Sequence, residues 1–165
     1  MTARFAVLVQ RLWADWGEAK QASGKAQRFL LLALRGGPDS EAFLEAAALN
    51  LHGFYNGLER IFEWLAREFD GGPPQGATWH RDLLDQMTLD IPGVRPAVLD
   101  ASTGAVLAEY LGFRHLVRNL YTWNFAPLKV QQLVERMSSV LDAVEADFER
   151  FAAFLAAAAR EDASE

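Results

Sequence analysis

The densest cluster of residues able to do chemistry lies between Tyr110 and Lys129. It carries Tyr110, Arg114, His115, Arg118, Asn119, Tyr121 and Lys129, with no acidic residue between Glu109 and Glu135. In a chain of net charge −6, so long an acid-free window marks a local positive field, whereas nucleic-acid attraction over the whole surface is excluded. At ~100° per residue, Arg118 and Tyr121 lie about 40° and 20° to either side of Arg114, and Tyr110 shares their stripe. His115 and Asn119 are four apart on a neighbouring stripe. Two guanidinium groups beside a phenol and an imidazole form a phosphate-binding surface. The plainer alternative is that the arginines offset a helix dipole or pair with acids of the second helix.

Other chemistries are narrowed by composition. There is no cysteine, so a disulfide framework, thiolate zinc and a cysteine nucleophile are excluded. Three histidines (His52, His80 and His115) are too few for a multi-histidine metal centre, and neither a metal nor a cofactor is expected. His80, beside Trp79 at a helix start, reads as a surface or capping residue; His52 reads as a hydrogen-bonded core histidine. Tyr55 and Glu59, an i,i+4 pair, read as a polar clasp between helices. The apolar run Phe29–Leu34 is too short to span a bilayer, and the N-terminal apolar stretch lacks a signal-peptide cleavage site, so the expected location is cytoplasmic.

The elements that must position these residues are helical almost throughout. Phe5, Leu8, Val9, Leu12 and Trp16 recur at steps of three and four, predicting a first helix over Thr2–Leu34, weak at Ser23-Gly24 and ended by Gly36-Gly37-Pro38. Asp39 or Ser40 caps a second helix reaching Gly71. Thr78 opens a short third helix, and Pro92, Gly93 and Pro96 keep Leu89–Asp100 irregular. Ser102 is the expected cap of a fourth helix extending to about Tyr121. Pro127 then starts a fifth whose seam runs from Val130 to Leu155. The expected fold is all-α, an up-and-down bundle of four main helices plus a short one. Residues 1–155 form a single domain and 156–165 a frayed tail. Trp13, Trp16, Phe62, Trp64 and Phe148 fall at helical spacing and belong to core or dimer interface.

The segment Gly112-Phe113-Arg114-His115-Leu116-Val117-Arg118-Asn119-Leu120-Tyr121 resembles the signature of HEPN-domain toxins in their HepT-like branch. That motif is Arg, four or more residues, His, and Tyr two positions after the His. Leu51–Phe62, Trp79–Leu84 and Ile91–Pro96 resemble further HepT-like segments, so the similarity covers roughly residues 45 to 150. The resemblance implies a metal-independent ribonuclease toxin that acts on RNA as a homodimer, with two motif copies in a shared cleft. It also implies a minimal nucleotidyltransferase (MNT) antitoxin that transfers AMP to the tyrosine corresponding to Tyr121. Arg114 corresponds to the motif arginine, and Asn119 stands where the family carries histidine. A carboxamide cannot titrate near neutrality, so His115 is the nearby imidazole that could replace it. Arg118 and Lys129 are the expected phosphate contacts. Three readings therefore stand: ribonuclease toxin, non-catalytic binding module of the same fold, or dimeric helical scaffold.

Overall fold

The architecture comes from a computed structural model that describes residues 2–117 and 127–161. Six helices occupy these residues: α1 (Thr2–Leu34), α2 (Ser40–Phe69), α3 (Trp79–Met87), α4 (Ala101–Val117), α5 (Pro127–Glu135) and α6 (Met137–Glu161). The expected all-α bundle is present, and no strand occurs among the described residues. α1 passes through Ser23-Gly24 without interruption. The Ser23 hydroxyl donates to the carbonyl of Lys20 at 2.6 Å, giving a buried polar side chain a partner inside its own helix.

α1 and α2 run antiparallel and approach closely through small residues. A side chain added at Gly57 would place its Cβ 3.0 Å from that of Ala19, so glycine is what permits this backbone separation. α6 returns along α1, tied by Lys20 Nζ to Glu145 at 2.9 Å. The core between them is aromatic: Trp16 meets Phe148 edge-on at 5.4 Å, and Phe54 meets Tyr110 edge-on at 5.8 Å. Trp16, Phe62, Trp64 and Phe148 are buried and Trp13 packs at the margin, as their helical spacing predicts.

The irregular stretch between α3 and α4 is organised by one arginine. Arg95 grips Asp70 through two parallel bonds of 2.7 and 2.6 Å and donates to the carbonyls of Leu89, Pro96 and Gln86. Ile91 and Arg95 pair their backbones across a turn that requires a left-handed residue, supplied by Gly93 at φ 77°. The backbone N–H groups of Val98 and Leu99 donate to the Met87 carbonyl, so the loop closes onto the end of α3.

Two element boundaries differ from expectation. α4 begins at Ala101, and Asp100 rather than Ser102 precedes it. The Asp100 N–H donates to the carboxylate of buried Asp147 on α6 at 2.9 Å, a tertiary contact that fixes the helix start. The expected continuous last helix is divided at Arg136 into α5 and α6. There the Ser139 hydroxyl donates to the Arg136 carbonyl, adding a second demand on a backbone acceptor, while the Arg136 side chain reaches across to Glu109. The apolar seam nevertheless continues through both pieces, and α6 is helical through Glu161. The capping expectations place Asp39 and Thr78 correctly at their helix starts, but neither side chain makes a capping bond; Thr78 donates instead to Asp82.

Candidate functional site: an arginine held by glutamate and histidine

α2 is the central helix, touching α1, α3, α4 and α5, and it presents Glu59 to the place where α3 and α4 meet it. Glu59 is buried, with 7% of its side chain exposed, in a position no isolated carboxylate would tolerate. Two groups compensate it. Arg114 of α4 donates from Nη1 to Oε1 at 2.9 Å and lies 3.2 Å from Oε2. His80 of α3 places Nδ1 2.7 Å from Oε2. The same Nη1 also lies 2.7 Å from His80 Nδ1 and 3.4 Å from Nε2, so imidazole, carboxylate and guanidinium are in mutual contact. Their side chains are 12% (Arg114) and 15% (His80) exposed, enough to open one edge of the cluster to solvent. The Trp79 ring lies 3.7 Å from that of His80 and limits its rotation.

The cluster holds unspent hydrogen-bonding capacity. The Tyr55 hydroxyl, one turn before Glu59 on α2, is fully buried with no hydrogen-bond partner among the described residues, and so is Arg114 Nε. Burial pushes the Tyr55 phenol well above its ordinary range, and the Glu59 carboxylate adds to the rise while Arg114 opposes it. Tyr55 therefore stays a neutral phenol beside the ion pair.

The structure revises several sequence expectations. His80 is part of a buried polar cluster, not a surface or capping group, because α3 folds back against α2 and α4. Glu59 forms the expected interhelical clasp, but with His80 and Arg114 and not with Tyr55. Arg114 follows the plainer alternative in part: it does pair with an acid of the second helix. Tyr110 departs from the phosphate-facing stripe; it is buried and donates to the Leu133 carbonyl at 2.7 Å, joining α4 to α5. Lys129 lies 3.5 Å from Glu109, which also binds Arg136, so its charge is shared with an acid. His52 is half-buried and lies 2.9 Å from the Asn56 side-chain amide. Arg118, Asn119 and Tyr121, and the side chain of His115, lie outside the described residues.

The residue that sequence reasoning undervalued is His80. Its one available signal was the neighbouring pair of segments, Tyr55–Glu59 and Trp79–His80, in which a lone acid and a lone histidine sit on otherwise apolar helix faces. A groove at the other end of α3, lined by Phe69, Asp82, Asp85, Leu89 and Val94, has acidic walls and is unsuited to a phosphate backbone.

Among the described residues there is no helix long and apolar enough to cross a membrane, and no group of acidic and histidine side chains suited to a metal ion. No curated protein and no solved structure matches the chain. A family model does, over residues 46–155, a span that runs from α2 to α6 and contains Glu59, His80, Arg114 and the segment through Tyr121. This chain belongs to the family of HepT-like proteins.

Proposed function

We propose that this protein is a HEPN toxin-type ribonuclease, the RNA-cleaving half of a toxin–antitoxin pair. Family membership supports the class. The observation that carries the reading is the state of Arg114. The motif arginine is neither loose on the surface nor sealed in the core; it is oriented by Glu59 and His80, its Nε is buried without a partner, and 12% of its side chain is exposed. Such a guanidinium is preorganised to receive a phosphate whose negative charge grows during 2′-hydroxyl attack. Arg118 and Lys129 supply further positive charge for the RNA backbone. The acting unit is a homodimer. Arg114 and Asn119 lie ~140° apart on one ideal helix, so convergence on a single phosphate calls for contributions from two chains. The partner is an MNT antitoxin, and Tyr121 accepts the AMP. The toxin works in the cytoplasm, where RNA and ATP are at hand.

The direct test is cleavage of a labelled RNA by purified protein, compared with Arg114→Ala and Asn119→His. Cleavage that falls on the order of 100-fold in Arg114→Ala supports the reading. The modification is tested separately: incubation with a nucleotidyltransferase encoded beside this chain and ATP adds roughly 329 Da per AMP, and Tyr121→Phe abolishes the addition.

A second reading, a non-catalytic binding module, is favoured by one observation: the Arg114 charge is already balanced by Glu59. Salt-dependent RNA binding with no cleavage, in both the natural chain and Asn119→His, selects it.

A further inference from the structure

We infer that His80, held through Nδ1 by Glu59, is the proton acceptor of this site and supplies from α3 the imidazole that the Arg114–Tyr121 segment lacks at Asn119. The inference rests on the ribonuclease reading above and extends it to a residue outside the motif. Its basis is the hydrogen-bond geometry. Nδ1 of His80 sits 2.7 Å from a carboxylate oxygen of Glu59 and 2.7 Å from Arg114 Nη1. A carboxylate only accepts and a guanidinium only donates. If Nδ1 carried a lone pair, it would accept from Nη1 but face the Glu59 carboxylate, a second acceptor, at 2.7 Å with no proton between them. If Nδ1 carries the proton, it donates to Glu59 Oε2, and Nη1 directs its own protons to Oε1 and Oε2 at 2.9 and 3.2 Å. The 2.7 Å approach of Nη1 to Nδ1 is then a side-by-side contact of two donors sharing one carboxylate, not a hydrogen bond between them. All donors then converge on one carboxylate. The lone pair is left on Nε2, 3.4 Å from the guanidinium that would hold the phosphate.

This is the arrangement by which a carboxylate fixes the tautomer of a histidine and stabilises the imidazolium that forms when it accepts a proton. The surroundings support it. Glu59 and neutral Tyr55 face the cluster from α2 and Arg114 from α4, while Arg81 and Asp85 of α3 contribute charges felt at Tyr55. The Trp79 ring, tilted 30° against the imidazole with centroids 3.7 Å apart, restrains its plane. In the reaction, the RNA 2′-hydroxyl proton passes to Nε2 as O2′ bonds to phosphorus. The P–O5′ bond breaks with its electron pair on O5′, which takes a proton from water. The imidazolium returns its proton to the hydroxide so formed.

Three measurements on the protein test this. Cleavage of a labelled RNA should rise with pH along a single limb. His80→Gln should lose that limb and at least about 100-fold in rate. Its affinity for a 2′-O-methyl RNA of the same sequence, which cannot be attacked, should fall far less than the rate. Glu59→Gln should move the limb to lower pH, because the imidazolium loses its counter-charge. Long-range 1H–15N correlation of the natural protein above the limb should show His80 protonated at Nδ1; this readout stands even if His80→Gln fails to fold. Robust cleavage with an unaltered profile in His80→Gln, or an Nε2–H tautomer, overturns the assignment and leaves the ribonuclease reading intact. Absence of any RNA cleavage by the natural chain removes both.

Discussion

Two arginines, Arg95 and Arg114, each bind a carboxylate projected from α2 or its end, and they differ in what is left over. Arg95 and Asp70 are sealed, with side chains 0% and 4% exposed, and the guanidinium spends its donors on two carboxylate oxygens and three carbonyls. That pair bolts the loop 88–100 to the end of α2 and has no capacity for a ligand. Arg114 leaves its buried Nε without a partner, shares its carboxylate with an imidazole, and shows another part of its side chain to solvent. A saturated ion pair is architecture, whereas an unsaturated one of the same chemistry is available for work.

The largest effect should come from breaking the saturated pair. Arg95→Met leaves Asp70 buried without its counter-ion and should cost about 3–5 kcal/mol in urea denaturation. Arg114→Met should cost clearly less stability, because Glu59 keeps its 2.7 Å bond to His80 Nδ1, but should depress RNA cleavage on the order of 100-fold, about 2.7 kcal/mol. Equal stability losses in the two variants would place Arg114 among the structural arginines and dissolve the distinction.

Tyr110 offers a sharper control, since it lies on the same helix as Arg114 but serves architecture only. Tyr110→Phe should cost about 1 kcal/mol at neutral pH through its lost bond to Leu133, without altering cleavage. Burial pushes its hydroxyl up to about 12, with Arg136 opposing and Glu109 adding slightly. The folded state thus favours the neutral phenol, and this contribution is complete below the ordinary phenol value near ~10 and lost as pH climbs towards 12. Denaturation profiles between those pH values should fall less steeply in Tyr110→Phe. The smallest effect belongs to an exposed pair: Arg4→Ala, which removes the contact to Glu68, should change stability by less than about 1 kcal/mol.

Much of the framework is legible in the residues themselves. The apolar spacing and the Gly36-Gly37-Pro38 break give α1 its bounds, Pro127 marks the start of α5, and Pro92, Gly93 and Pro96 locate the irregular loop. Each rests on a local rule: helical periodicity, the missing N–H of proline, or the free φ of glycine. The motif arginine is legible too, because the acid-free window and the family signature coincide on it.

What only the tertiary structure decided is which lone polar residues meet. Glu59, His80 and Arg114 stand 21 and 34 residues apart along the chain, on three helices, and no periodicity links them. Their contact depends on how α3 folds back after Gly71-Gly72-Pro73-Pro74 and on the depth at which α4 packs against α2. The same packing turned Tyr110 inward and gave Asp100 the helix start in place of Ser102. Secondary structure follows from residues near in sequence, and so a sequence announces it. A buried polar cluster is settled by desolvation and pairing across elements, and only the assembled bundle makes those pairs.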